Sequence, residues 1–155
     1  MKDFDKTQLI NRKRTFSRLV AVQSMYQFEF GEKKSDVQDL KDNLIRNYIL
    51  FEEDEIKSYE AKIDNIFVDK LIEKAVESFD EIEIDIAQYR KNDELDLLVQ
   101  QIIRLGAVEL NFFTDTDFKV IIDEYCDIAS FFYDESKISF IASILNKLSE
   151  KYNRK

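Results

Sequence analysis

Residues 94–113 read ELDLLVQQIIRLGAVELNFF. Between Asp96 and Asp115 the only charged residues are Arg104 and Glu109, and apolar side chains fall on nearly every side of a helical projection. A helix apolar almost all round has no solvent face and belongs at the centre of a bundle. Gly106 lies in its interior, where glycine costs about 1 kcal/mol relative to alanine, so the position predicts close approach by a neighbouring helix. Asn92 or Asp93 is placed to cap this helix.

The sequence on either side supplies the neighbours. Downstream, Asp115 to Asp117 caps a helix burying Phe118, Ile122, Tyr125, Ile128, Ala129 and Phe132. Ser136 caps a last helix, on which Ile138, Ile141, Leu145, Leu148 and Tyr152 recur at steps of three and four. Upstream, a first helix from about Thr15 to Phe30 buries Leu19, Val22, Met25, Tyr26 and Phe30, with Gly31 at its C′ position. Ser35 and Gln38 form a capping box for a second helix carrying Val37, Leu40, Leu44, Ile45 and Tyr48. The stretch from Phe51 to Lys62 is charge-dense and reads as a solvated loop or a helix start. A third helix spans about Asp64 to Asp80, with Ile63, Phe67, Leu71, Ala75 and Phe79 every four residues. Ile82, Ile84 and Ile86 alternate with acids as a strand would, but the segment is short and isolated, and reads as a turn of helix or an irregular link.

Composition agrees. The 155 residues include two Gly and no Pro, too few for the turns of a sandwich or barrel. No linker, repeat or composition break divides the chain. The expected architecture is all-α, a compact bundle of six to seven helices in a single domain over 1–155, with 1–12 as a flexible N-terminal arm.

The same composition removes most catalytic chemistry. There is no His, so Ser-His-Asp and Cys-His catalysis, His-containing zinc sites and Glu-x-x-His di-iron bundles are excluded. The one Cys, Cys126, can form no intrachain disulfide and has no base beside it in sequence, so it reads as a structural thiol. Two isolated Gly make no phosphate loop. Asp123 with Asp127, and Asp69 with Glu73, share helix faces at i,i+4, as solvated acidic faces also do. No enzyme, metal or cofactor is expected. The uncharged run Leu19 to Phe28 is only ten residues and is closed by Glu29 and Glu32, which suits neither a membrane span nor a signal peptide. A soluble cytoplasmic protein with no membrane partner is expected.

Net charge is −9, but it is segregated. Residues 1–18 carry Lys2, Lys6, Arg12, Lys13, Arg14 and Arg18 against Asp3 and Asp5. Residues 147–155 carry Lys147, Lys151, Arg154 and Lys155 against Glu150. The termini are therefore basic and the body strongly acidic, which fits a polyanion at one end and a basic partner elsewhere. Cations at the C-terminal end of a helix also simply complement its dipole. At a helix start they oppose it, which makes Asn11-Arg12-Lys13-Arg14-Thr15-Phe16-Ser17-Arg18 the more informative patch. Arg14 and Arg18 lie at i,i+4 and would project from one face, where guanidinium groups can grip phosphates or stack on unpaired bases. Tyr26 lies two turns further on, where an aromatic ring could stack a base. The plainer readings are a solvated basic helix start and, for Tyr26, core packing.

Several short motifs, in this order and spacing, resemble the NusB transcription antitermination family. They are Ile103-Arg104-Leu105, Glu109-Leu110, Lys119-Val120-Ile121-Ile122-Asp123-Glu124, Phe140-Ile141 and Leu145-Asn146-Lys147-Leu148. Arg14-x-x-x-Arg18, Ala21-Val22-Gln23 and Met25-Tyr26 are similar to that family's first helix. The resemblance implies an all-α RNA-binding protein without catalysis. It implies pairing with NusE, a small-subunit ribosomal protein, to hold boxA-type single-stranded RNA of nascent transcripts, notably of rRNA operons, within an RNA polymerase antitermination complex. Carried over by position, Arg14 and Arg18 match the family's RNA-contacting Arg-rich motif, with Lys13 adjacent to it, Tyr26 matches an aromatic beside that surface, and Phe140 a Phe of the last helix. The acidic body suits a basic ribosomal partner. The family's denser Arg run is interrupted here by Thr15 and Phe16, which implies fewer phosphate contacts. Its Asn-Gly pair after the last-helix Phe is Ala142-Ser143, its Asp-Ser before that helix is Ser136-Lys137, and its Pro before Lys-Val is Asp117. The alternative is a NusB-like protein-interaction module that has lost RNA binding, or such a domain detached from an rRNA methyltransferase.

Overall fold

A computed structural model describes residues 13–50, 63–90 and 95–154. Seven α-helices occur among them, with no strand: α1 (Lys13–Phe30), α2 (Val37–Leu50), α3 (Asn65–Glu77), α4 (Phe79–Arg90), α5 (Leu97–Phe112), α6 (Phe118–Ser130) and α7 (Glu135–Lys151). The all-α bundle expected from the periodicity is what the chain forms. The N-terminal arm, the charged stretch 51–62, Asn92, Asp93 and the side chain of Tyr48 lie outside the described residues.

The central helix is α5, whose residues from Gln101 to Leu110 are all buried. It packs against α1, α3, α4, α6 and α7. Gly106 makes the closest of these approaches possible: a Cβ there would lie 2.8 Å from Leu145 Cδ2 and 3.4 Å from Tyr125 Cδ2. The two charges in this helix are both anchored. Arg104 donates to the Phe79 carbonyl at 2.9 Å and to Glu83 at 2.5 Å, with its guanidinium 3.6 Å from the centre of the Phe79 ring. Burial lowers the Arg104 pKa, and Glu83 and Glu29 counter that only in part. Glu109 accepts from Arg18 and from the Tyr125 hydroxyl.

Five of the seven helix starts follow one chemical rule, with an aspartate as the cap. Asp64, Asp96, Asp117 and Asp134 accept from backbone N–H groups of the first turn, as does Asp36 ahead of α2. Three caps therefore differ from expectation. Asp36 serves α2 in place of Ser35, Asp96 serves α5, and Asp134 serves α7 in place of Ser136. Ahead of α2 and α5 the aspartate stands nearer the first helical residue than the expected cap, and in α7 Ser136 already lies inside the first turn, so Asp134 is the one that reaches the free N–H groups.

The end of α1 also differs. Lys33 N–H donates to the Phe28 carbonyl and Glu32 N–H to that of Glu29, so Glu32, at φ 59°, occupies C′ and Gly31 stands one position earlier without a positive φ. Phe30 is 72% exposed rather than buried, and Tyr26 is half-buried, stacked on it with centroids 5.9 Å apart. Phe132 is likewise 40% exposed. The Ile82 segment is a full helix, α4. Ile82 and Ile86, four apart, are buried, and Ile84 points to solvent. Ser78 separates it from α3.

Two of the C-terminal cations, Lys151 and Arg154, are structural ties. Lys151 lies 3.7 Å from Asp85, and the Tyr152 hydroxyl donates to Asp85 at 2.7 Å. Arg154 donates to the Leu110 carbonyl at 2.7 Å and to that of Thr116. They bind α7 to α4 and to the α5–α6 turn. Among the described residues no helix is long and apolar enough to cross a membrane.

Candidate nucleic-acid interface

The basic start of α1 is built by what lies beneath it. Thr15, Phe16 and Ser17 are buried at 1%, 1% and 0% exposure, so the residues that interrupt the run of cations are those that dock the helix. Thr15 donates its hydroxyl hydrogen bond to Glu124 on α6. Ser17 Oγ donates to the Lys13 carbonyl at 2.7 Å and accepts the Asp64 N–H at 2.9 Å. That places the N-cap of α3 against the first turn of α1.

The two arginines share a face, as their spacing predicts, but not an environment. Arg14 lies 3.3 Å from the Asp64 carboxylate and 4.2 Å from the centre of the Phe67 ring, with just over half of its side chain exposed. Arg18 lies 5.1 Å from the same ring yet is 2% exposed. It forks onto Glu109, with a third contact to Glu124 at 3.6 Å. Burial works against its charge, but the hydrogen-bonded Glu109, with Tyr125 and Glu124, outweighs this and raises its pKa. Arg18 therefore departs from the expected phosphate-facing position, because two carboxylates inside the bundle hold its guanidinium. Burial, and then Glu109, raise the Tyr125 hydroxyl pKa well above its ordinary value, so it stays a donor.

Lys13 is exposed at the first position of α1, and no acid occupies that first turn. Tyr26 is twelve residues beyond Arg14, roughly 18 Å along the helix axis. Phe140 is half-buried on α7, packed against the core. Lys13, Arg14 and Arg18 thus gather at one end of α1, and Tyr26 stands apart from them.

Sequence reasoning assigned Phe67 to the core alone and gave no role to Asp64, Lys70 or Phe113. These residues line a cleft of about 470 Å³ with Arg14, between the start of α1, α3 and the α5–α6 turn. The signal was tertiary, since Asp64 is fifty positions from Arg14 and Phe113 nearly a hundred.

No group of three or more His, Cys, Asp or Glu placed to hold a metal occurs among the described residues. Asp69 is taken by Lys41 Nζ at 2.5 Å. Burial, with Asp123 and Asp127, pushes the Cys126 thiol up to about 11, which suits a structural thiol and not a nucleophile.

Known proteins bear on this geometry. A transcription antitermination protein NusB of Rickettsia bellii is 31% identical over 150 residues, covering 92% of this chain and 93% of its own. The NusB of Rickettsia typhi is 28% identical over 152 residues, covering 96% and 97%. Among solved structures, Thermotoga maritima NusB superposes with a TM-score of 0.69 at 23% identity, covering 91% of this chain and 92% of its own. A crystal structure of antitermination factors NusB and NusE in complex with double-stranded RNA gives 0.71 at 22% identity, covering 91% and 98%. At that identity the superpositions speak for the fold. The family model described as NusB family matches residues 15–150, from the buried Thr15 to the last turn of α7, and so the chain belongs to the NusB family.

Proposed function

We propose that this chain is an RNA-binding transcription antitermination factor. In this reading it pairs with NusE to hold boxA-type single-stranded RNA in nascent transcripts, notably of rRNA operons, within a cytoplasmic antitermination complex on RNA polymerase. One observation carries the reading: Arg14 is half-exposed and aimed by Asp64 and Phe67, beside exposed Lys13, on a first turn with no acid. Two cations at a helix N-terminus add to its positive end and attract an anion there.

The roles divide by exposure. Lys13 and Arg14 contact phosphate. Arg18 is a positioning residue, fixing the helix that carries them. Tyr26 and Phe140 offer half-buried ring edges along the RNA path. The acidic body faces the basic ribosomal protein, since opposite potentials speed and orient docking. As a member of a family of transcription factors, the chain is no enzyme.

The test is fluorescence anisotropy with a boxA-type RNA and a scrambled control, at two salt concentrations, with and without NusE. Tighter binding to boxA, strengthened by NusE and lost in Arg14→Glu, supports the reading. Equal weak binding to both RNAs, indifferent to NusE, overturns it and leaves a NusB-like protein-interaction module.

A further inference from the structure

The cleft beside Arg14 has the composition of a nucleotide seat. Lys70 Nζ lies 5.2 Å from the centre of the Phe113 ring, and Lys74 Nζ, one turn on, lies 5.6 Å from that of Phe112. Phe113 meets Phe67 edge to face, with centroids 5.7 Å apart, and Arg14 stands over Phe67. Three cations therefore lie against three rings on one continuous surface, from the first turn of α1 across α3 to the end of α5. Lys74 is engaged by Glu77 at 3.5 Å and Arg14 by Asp64, whereas Lys70 is exposed and pairs with no carboxylate among the described residues.

We propose, on the basis of the RNA-binding reading above, that this cleft seats one unpaired nucleotide of the bound RNA, its base against Phe113 and its phosphate on Lys70. A flat base can replace the lysine chain over the ring, as sequence-tolerant stacking requires, while the freed ammonium reaches the backbone. The carboxylates that line the cleft, Asp64 and Asp115, do not oppose this seat. They accept hydrogen bonds, and the donors of a base edge are amino and imino groups. An acidic peptide brings the same negative charge but no flat base to stack on the rings, so RNA is the better fit.

Anisotropy titrations with a fluorescein-labelled boxA-type single-stranded RNA test this, using the full chain and the variants Lys70→Ala, Phe113→Leu and Arg14→Glu. Lys70 is a surface residue and Phe113→Leu keeps apolar volume against Phe67, so both variants retain the fold. Each is expected to weaken binding about fivefold or more. Lys70→Ala is also expected to reduce the salt slope by about one phosphate contact, and Phe113→Leu to leave it unchanged. If Arg14→Glu abolishes binding while Lys70→Ala and Phe113→Leu match the parent, the nucleotide seat is overturned and the RNA-binding reading stands. If the unaltered chain binds neither this RNA nor a scrambled one, with or without NusE, both fall.

Discussion

The Arg18 guanidinium and the Glu109 carboxylate meet in two parallel hydrogen bonds inside the bundle, Nε to Oε2 at 2.7 Å and a terminal nitrogen to Oε1 at 2.9 Å. Both side chains are almost wholly removed from solvent, at 3% and 0% exposure. The pair joins residues 91 positions apart and sets where the first helix lies on the central one.

Removing one partner of such a pair leaves a buried charge. Arg18→Ala is expected to cost about 3–5 kcal/mol in urea unfolding, roughly a fifth or more of the stability of a typical domain. Arg18→Lys keeps the charge but loses the fork, and should fall between parent and alanine. A cost for Arg18→Ala below about 1 kcal/mol would show that the pair does not hold the helix.

Gly106→Ala sets two effects against each other. Alanine gains about 1 kcal/mol of helix propensity. Its Cβ, however, would stand 2.8 Å from Leu145 Cδ2 and 3.2 Å from Cδ1, and Leu145 is fully buried, so its side chain must shift within the core. Overpacking of that kind costs about 1–3 kcal/mol. Net destabilisation near 1 kcal/mol is expected, and a stabilised variant would mean that α7 slides freely over α5.

Cys126 gives a pH dependence with a definite sign. Burial, together with Asp123 and Asp127, raises its thiol to about 11 from 9.0. A group whose folded pKa is raised contributes stability that is complete below the unfolded value and lost as pH rises through the folded one. Stability from this residue should therefore decline between pH 9 and 11, and Cys126→Ala should flatten that part of the profile. Disulfide-exchange labelling at pH 8 should be much slower in the folded chain than in urea, because the thiolate is scarce. Equal labelling rates would contradict the buried thiol.

The cap of α7 separates two neighbouring residues. Asp134 Oδ1 accepts the Lys137 N–H at 3.2 Å. Asp134→Ala is expected to cost about 1 kcal/mol, and Ser136→Ala, inside the first turn and exposed, less than 0.5 kcal/mol. The reverse order in thermal melts would restore Ser136 as the cap.

Legibility in the sequence followed the range of the physics. The central position of α5 was readable because burial on all sides leaves a one-dimensional trace, a mostly apolar run whose only charges are Arg104 and Glu109. Gly106 was readable for the same reason, as a costly residue in a helix that needs a close neighbour. The caps were displaced by one to several residues, since Ser, Asn and Asp are all competent and only the backbone chooses among them. Arg18 could not be read correctly from local spacing. Its i,i+4 relation to Arg14 is true, but Glu109 and Glu124, both remote in sequence, draw it inward. The cleft was invisible for the same reason, being assembled from α1, α3 and the α5–α6 turn.

The ties that hold α1, from Arg18 to Glu109 and from Thr15 to Glu124, have a consequence in time. A ribosome adds about 5–20 residues per second, so a gap of 91 residues corresponds to roughly 5–20 s of synthesis. During that interval α2 and α3 can already gather around the first helix, but its innermost arginine has no acid to receive it. The basic start of α1 is thus made well before the acids that lock it. A chain stalled or cut before residue 109 carries the cations without the carboxylates that lock the helix bearing them.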